Sequence, residues 1–250
     1  MLTRNQVDEL AQELRTQYDY PVLWEQFSWG GEEMPDAWNT RENLVPVAPI
    51  VDAQAAENFA EAVHLWGFNG RSIRAEVVDA DAWLPAIHNL VHEWQLPQDP
   101  LGRPNALLAL QNILAIQFLG IATVTKWTCF LDQDRFAIYD SRVSYAMRDL
   151  TIDNLRAFPF VGGRVTEQDR PYKVSQDACV TDPARAVTTY ANFLNVIRRT
   201  ASLLNEQAAG IRWNAARVEC CLFVAGESRL RTPGILPLNN PVNAAFVGGP

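Results

Sequence analysis

A lysine and an aspartate stand out in residues 119–143, "LGIATVTKWTCFLDQDRFAIYDSRV", because their types and spacing suit covalent chemistry. Lys126 lies among apolar residues, and burial of a lysine favours its neutral amine, which can attack a sugar carbon. Asp140 stands at the predicted start of a helix, where the helix dipole favours an anionic carboxylate. The pair suits cleavage of an N-glycosidic bond, with Lys126 as the nucleophile and Asp140 stabilising positive charge on the sugar.

The same two residues also allow structural roles. Lys126 and Asp140 could form a buried ion pair that organises the chain locally. Asp140 could equally be a helix N-cap and nothing more. Arg142 either contacts a phosphate group or holds the Asp140 carboxylate. The residues alone leave these alternatives open.

A turn of small residues precedes the lysine. Residues 120–123, "GIAT", lie between two predicted helices, so the turn would direct free backbone N–H groups at a phosphate without basic side chains. Gly120 and Ala122 are therefore candidate DNA-binding positions.

The order of these features resembles that of the helix-hairpin-helix DNA glycosylases, within them the bacterial 8-oxoguanine DNA glycosylase-like proteins. Those proteins carry a small-residue turn, a Ser-Lys pair, an apolar connection and an Asp-x-Arg-Val element. The counterparts here are Thr125-Lys126, residues 135–138 ("RFAI") and residues 140–143 ("DSRV"). The resemblance is close over this stretch and loose over the helix order of residues 105–225.

The resemblance implies an all-α fold of the helix-hairpin-helix glycosylase type. It also implies recognition of a purine-type nucleobase, in DNA or as a free or conjugated base. In an active DNA N-glycosylase and AP lyase, Lys126 would be the Schiff-base nucleophile and Asp140 the charge stabiliser, with Arg142 contacting DNA. The alternative is a catalytically inactive module that recognises a nucleobase or a protein partner in a bacterial antiviral defence system.

Aromatic residues are candidates for holding a base. Enzymes that act on a base in DNA flip it out of the duplex and stack it between aromatic or apolar side chains. Trp127 and Trp213 are the candidates chosen for that role. The competing interpretation is that both belong to the hydrophobic core, as aromatics at helical spacing usually do.

Charge is divided unevenly along the chain. Residues 1–125 hold 6 Lys+Arg against 17 Asp+Glu, a balance of −11, and residues 126–250 hold 15 against 12, a balance of +3. This division indicates a bipolar surface or an acidic face for a protein partner, and the alternative is a chance asymmetry between solvated helix faces. A duplex-binding protein needs cationic surface for counterion release. The net charge of −8 therefore leaves the enzyme and the binding module evenly matched.

The remaining signals predict a soluble cytoplasmic protein with no membrane contact. No apolar run reaches the length of about 18 residues that a membrane helix needs, and no leader-like segment opens the sequence. Four cysteines without a CxxC spacing predict buried thiols in a reducing compartment. Dinucleotide, phosphate-loop and zinc motifs are missing from the sequence, so we expect neither a cofactor nor a metal.

Hydrophobic periodicity and capping residues, among them a Thr3–Gln6 capping box and an Asp52 N-cap, predict a single all-α domain over residues 1–250, with roughly eight or nine helices. Subdomains at 1–100 and 101–230 are possible, and residues 231–250 read as an extended tail. Residues 18–50 are aromatic and proline-bearing, which predicts an ordered but irregular segment. Residues 158–182 predict a long surface loop.

Overall fold

A computed structural model describes residues 1–68, 70–74, 80–165, 172–174, 176–207 and 210–231. This part is predominantly helical, which confirms the all-α class, and it contains ten α-helices rather than eight or nine. The helices are α1 (Arg4–Gln17), α2 (Tyr20–Glu25), α3 (Asp36–Glu42), α4 (Ala53–Gly67), α5 (Ala80–Trp94), α6 (Pro104–Leu114), α7 (Ile121–Leu131), α8 (Ser141–Ala146), α9 (Pro183–Asn205) and α10 (Ala215–Arg231).

Strands are few and short. Three two-stranded antiparallel hairpins interrupt the helices, and two single 3₁₀ turns, Pro100–Gly102 and Ala178–Val180, complete the secondary structure of the described part. The hairpins are β1 (Ser28–Trp29) with β2 (Glu32–Glu33), β3 (Thr151–Ile152) with β4 (Leu155–Arg156), and β5 (Gly163–Val165) with β6 (Tyr172–Val174).

Capping residues fix several helix starts where the sequence predicts them. Thr3 accepts a hydrogen bond from the Gln6 backbone while the Gln6 side chain accepts one from the Thr3 backbone, which completes a capping box. Asp52 accepts from the Ala55 backbone at the start of α4. Each side chain satisfies a backbone N–H that has no partner inside its helix. These predictions are confirmed.

The hydrophobic core runs through all the larger helices. The 23-residue α9 packs against α1, α6 and α10, and α10 also packs closely on α8 and on α2. A second group forms around α4, which contacts α5 and α7, while α5 contacts α6. Helix α7 carries Lys126 and helix α8 begins after Asp140, so the candidate site lies where these two sets of helices meet. No helix among the described residues is long and apolar enough to cross a membrane.

Residues 18–50 are more regular than the sequence predicts. They hold α2, the β1–β2 hairpin and α3, with buried Tyr20, Trp24 and Trp38 facing the core. Helices of 6 and 7 residues are too short to show the repeated apolar spacing from which a helix is predicted. Tertiary packing of the aromatic side chains therefore stabilises elements that have almost no local signature.

The predicted surface loop at 158–182 is wrong in part. Phe158, Val161 and Cys179 are buried, and the β5–β6 hairpin lies between them. The Asp177 carboxylate accepts hydrogen bonds from the Phe160 backbone and from Arg156, which fixes both ends of the segment to the core. The predicted extended tail, from residue 232 onward, lies outside the described residues.

Candidate functional site

Helices α6 and α7 form a helix–loop–helix, but the predicted turn at 120–123 is wrong in part: the loop spans residues 115–120, and only Gly120 of the predicted turn lies outside a helix, because α7 begins at Ile121. Gly120 is the N-cap of α7, with extended backbone angles of φ −98° and ψ 166°, and it offers no side chain to cap the helix. Phe118 precedes it in the left-handed region at φ 72° and is largely exposed. The backbone carbonyl of Ala122, in the first turn of α7, faces inward and accepts a hydrogen bond from Lys126. Whether this end of α7 contacts DNA stays a prediction.

Lys126 is almost completely buried, with 5% of its side chain exposed. Its ammonium nitrogen donates to the Ala122 carbonyl oxygen at 3.2 Å and lies 4.8 Å from the centroid of the Phe68 ring. Its aliphatic stem passes directly over Gly67, where an added Cβ would come within 2.6 Å of the lysine Cδ. The end of α4 therefore covers Lys126.

Burial lowers the pKa of Lys126 below its usual value of 10.5, because the low-dielectric interior disfavours the ammonium. The charges of Asp140 and Glu219 oppose this change by stabilising the cation. Arg142 and Arg41 add to it by repulsion. Lys126 thus belongs to a group of five charged side chains in which desolvation outweighs the two nearby carboxylates.

Asp140 is a buried N-cap of α8. Its Oδ1 accepts hydrogen bonds at 3.0 Å from the backbone N–H groups of Arg142 and Val143. Among the described residues no ion pair joins Lys126 to Asp140, so the predicted contact between them is not formed. Asp140 acts on the lysine through its charge at longer range. These two backbone hydrogen bonds hold the carboxylate at the start of α8.

Arg142 lines a surface cleft of about 510 Å³, which we call the Arg142 cleft. The guanidinium carbon of Arg142 lies 4.6 Å above the Phe223 ring, and the Arg142 Nε is 3.9 Å from a carboxylate oxygen of Glu227. Trp29 meets Phe223 edge to face, with 5.4 Å between ring centroids. The lining residues are Ser28, Trp29, Gly30, Gly31, Arg142, Phe223 and Glu227.

The β1–β2 hairpin presents Trp29 to this cleft. Gly30 and Gly31 form its two-residue turn with φ of 64° and 88°, a conformation that a side-chain-bearing residue adopts only with strain. The Trp29 indole N–H donates to the Trp66 carbonyl at 3.1 Å, and the two indole rings lie 5.0 Å apart. The last turn of α4 therefore holds one wall of the cleft in place.

Arg142 owes its position to a close helix contact. A Cβ built on Gly226 of α10 would lie 2.0 Å from the backbone carbonyl oxygen of Arg142. Only glycine permits this approach of α10 to the start of α8. The contact brings Phe223, three residues before Gly226, and Glu227, the residue after it, against Arg142.

A second buried cation lies beside the site. The guanidinium of Arg41 forms an ion pair with Glu219 and donates to the Cys220 sulfur at 2.9 Å and the Cys129 sulfur at 3.1 Å. Burial opposes the charged form, but the two sulfurs and the carboxylate favour it, so the pKa of Arg41 is raised well above its usual value. This cluster ties α3 to α7 and α10. All four cysteines are buried, as predicted.

The two tryptophans predicted to stack on a base lie elsewhere. Trp127 is fully buried, with its indole N–H donating to the Ala60 carbonyl at 3.1 Å. Trp213 packs edge to face on Tyr20 at 5.9 Å and lines a different open cavity of about 490 Å³ beside Arg198. Neither residue lines the Arg142 cleft.

Sequence reasoning missed Glu219 and Glu227, which lie in the apolar-looking last helix and have no motif around them. The scarcity of lysine in the sequence is a further signal for Lys126. Lys126 and Lys173 are the only two lysines among the 21 basic residues of the sequence. The other basic residues are arginines, which cannot form a Schiff base. One of the two lysines therefore stands at the position where a reactive amine is predicted.

The described residues contain no cluster of three or more histidine, cysteine, aspartate or glutamate side chains that could hold a metal. Comparison with known proteins found no matching family model, no matching curated protein and no matching solved structure.

Proposed function

We propose that this protein is a helix-hairpin-helix DNA-glycosylase-like protein that binds a purine-type base in the Arg142 cleft and cleaves its N-glycosidic bond with Lys126. The observation that carries the proposal is the state of Lys126. Burial disfavours the charged form of its amine, and the charge of the Asp140 carboxylate, the N-cap of α8, acts on it. The lysine lies in α7, the second helix of the helix–loop–helix. A lysine nucleophile needs this environment, since only its neutral form attacks.

In the proposed reaction the neutral Lys126 amine forms a bond to the sugar C1′ as the C1′–base bond breaks. The departing base takes the electron pair of that bond, and it receives the proton that the attacking nitrogen loses. Positive charge develops on the sugar in this step, and the Asp140 carboxylate stabilises it. Opening of the sugar ring then converts the adduct to a Schiff base, which borohydride reduces to a stable amine.

The Arg142 cleft suits a purine in size and in chemistry. Its volume of about 510 Å³ lies within the usual range for sites that hold a small molecule. Trp29 and Phe223 supply aromatic surface for stacking. Arg142 donates hydrogen bonds of the kind that guanine O6 and N7 accept, and Glu227 accepts bonds of the kind that guanine N1 and N2 donate. Adenine offers the same two functions at N7 and N6, so the donor and acceptor pair suits a purine base in general.

Trapping with borohydride tests the proposal. We expect wild-type protein, mixed with duplexes bearing an abasic site or 8-oxoguanine, to give a covalent adduct on reduction. Lys126→Gln removes the adduct. Lys173→Gln is the matched control, because it removes the only other lysine and leaves the adduct unchanged. No adduct with wild-type protein on either duplex, or an adduct that persists in Lys126→Gln, overturns the assignment of Lys126.

Asp140→Asn separates the charge of Asp140 from its structural role. Asparagine caps a helix about as well as aspartate, so the start of α8 remains intact. Loss of the carboxylate removes the electrostatic stabilisation, for which a reduction of about 10²-fold in the rate of base release is typical. An unchanged rate in a variant with unchanged stability shows that Asp140 is an N-cap only.

A second candidate function is base recognition without cleavage. It is favoured by the direction of the Lys126 ammonium, which is bonded to the Ala122 carbonyl and does not line the Arg142 cleft. In this case guanine nucleosides quench Trp29 fluorescence, Trp29→Phe removes the signal, and Arg142→Ala weakens binding, while no adduct forms. Failure to bind nucleosides and to trap DNA rejects both candidates.

A further inference from the structure

Phe68 lies against the Lys126 ammonium. It follows directly on α4, with its backbone N–H bonded to the His64 carbonyl at 2.9 Å. Its ring centroid lies 4.8 Å from the lysine nitrogen, and the ring stacks on the His64 ring with 4.2 Å between centroids. Lys126 is buried, whereas Phe68 is only half-buried. The phenyl ring is therefore more accessible to water than the amine that it contacts.

Two backbone groups also lie against Lys126. Gly67 of α4 contacts the lysine stem, and the carbonyl of Ala122 on the lysine's own helix accepts a hydrogen bond from the ammonium. Neither is a side chain that can rotate away. A phenylalanine at a helix end can change its rotamer at small cost, so rotation of Phe68 is the least disruptive movement that frees the nitrogen.

The same helix end also touches the Arg142 cleft. The Trp66 carbonyl accepts the hydrogen bond from the Trp29 indole, and the Trp66 ring meets Phe130 of α7 at 4.8 Å. Phe68 stands two residues further along the chain. A ligand that moves Trp29 thus acts on the turn of α4 that covers Lys126.

We propose that Phe68 is the gate of the Lys126 amine, which holds the nitrogen against the Ala122 carbonyl and releases it to an aldehyde or abasic sugar when the ring rotates. The inference rests on the proposed function in treating Lys126 as the nucleophile. It adds the residue that controls when this amine can react. It also accounts for an ammonium that the structure holds away from the cleft.

Aldehyde labelling tests the gate without DNA. Pyridoxal 5′-phosphate reacts with a lysine by forming a C=N bond, and its carbonyl oxygen leaves as water with the two amine protons. Borohydride then adds hydride to the carbon and fixes the label. Because the sequence has only two lysines, peptide mass spectrometry follows Lys126 and Lys173 separately.

We expect Phe68→Ala to label Lys126 about tenfold faster than wild type, because the ring no longer blocks the aldehyde, and a tenfold change corresponds to about 1.4 kcal/mol. Phe160→Ala is the matched control, because it removes a half-buried phenylalanine that lies 4.1 Å from the Arg156 guanidinium. The control should leave the Lys126 rate unchanged. Phe68→Leu keeps an apolar cover and should give an intermediate rate, which guards against misfolding of the alanine variant.

Two results overturn the gate. One is an unchanged Lys126 labelling rate in folded Phe68→Ala and Phe68→Leu, and the other is an equal increase in Phe160→Ala. The results can reject the gate without rejecting the proposed function, and the proposed function without rejecting the gate. Faster Lys126 labelling in Phe68→Ala without any DNA adduct supports the gate and rejects the glycosylase. A DNA adduct of wild type that Phe68→Ala does not accelerate, with labelling also unchanged, supports the glycosylase and rejects the gate.

Discussion

Arg41 and Lys126 are both buried cations in the same group of charges, but their surroundings differ. Arg41 has a carboxylate, two thiol sulfurs and the faces of Trp38, Trp66 and Phe130 around its guanidinium. Lys126 has one carbonyl oxygen and one ring. Accordingly the pKa of Arg41 is raised and that of Lys126 is lowered.

This difference separates a structural charge from a chemical one. A buried charge that is paired with a carboxylate holds elements together, and here it links α3 to α7 and α10. A buried amine without an ion-pair partner contributes little to the fold and retains the reactivity of its neutral form.

Glu219→Ala should be the most destabilising substitution. It leaves the Arg41 guanidinium buried without its carboxylate, and breaking a buried pair in this way costs about 3–5 kcal/mol. Urea unfolding followed by tryptophan fluorescence measures the loss. The double variant Arg41→Met/Glu219→Leu, which removes both charges, should recover most of it. A single variant as stable as wild type contradicts the structural role of the pair.

Gly226→Ala should cost about 2 kcal/mol, because the new methyl group meets the Arg142 carbonyl oxygen and forces α10 away from α8. It should also weaken nucleoside binding in the Arg142 cleft, since Arg142 and Phe223 separate. Gly102→Ala is the control, at a glycine where an added Cβ meets no atom within 4 Å. Equal stability of the two variants contradicts the close helix approach.

Lys126→Met should raise the free energy of unfolding by about 1 kcal/mol, because a buried ammonium without an ion-pair partner gives way to an apolar side chain of similar length. Arg41→Met should lower the free energy of unfolding, because it leaves the Glu219 carboxylate buried without its ion-pair partner. Urea unfolding at neutral pH compares the two. Destabilisation of similar size in both variants shows that Lys126 is a structural cation like Arg41.

The difference in the free energy of unfolding between Lys126→Met and wild type should become smaller as pH rises. The pKa of Lys126 is lower in the folded state than its unfolded value of 10.5, so between the two values the unfolded chain binds the extra proton. Wild-type stability therefore rises with pH in that window relative to the variant. Repeating the urea unfolding of both proteins at increasing alkaline pH measures the slope. A pH-independent difference rejects a lowered pKa.

The sequence identifies the helical class, many helix starts and the neighbourhood of Lys126 and Asp140, since these depend on local periodicity and capping. It does not reveal the Arg41–Glu219 pair, whose members lie 178 residues apart and share no pattern. The sequence does not reveal the Arg142 cleft either, because Trp29 and Phe223 come from opposite ends of the chain.

The orientation of Lys126 is a further property that spacing alone does not predict. Helical spacing places Lys126 one turn after Ala122, but the choice of the Ala122 carbonyl over Asp140 depends on Gly67 and Phe68. Those two residues arrive from α4 and reach the lysine only in the folded protein. The catalytic roles of Lys126 and Asp140 therefore stay predictions that the packing constrains.

A lysine titration by NMR tests the central claim most directly. With lysine labelled at Cε and Nζ, the protein gives two side-chain signals, and Lys126→Gln assigns one of them by its absence. We predict that the Lys126 signal titrates clearly below pH 10.5, and that Phe68→Ala moves its pKa upward toward that value as water reaches the nitrogen. A Lys126 signal that titrates at or above 10.5 in the wild-type protein contradicts the account.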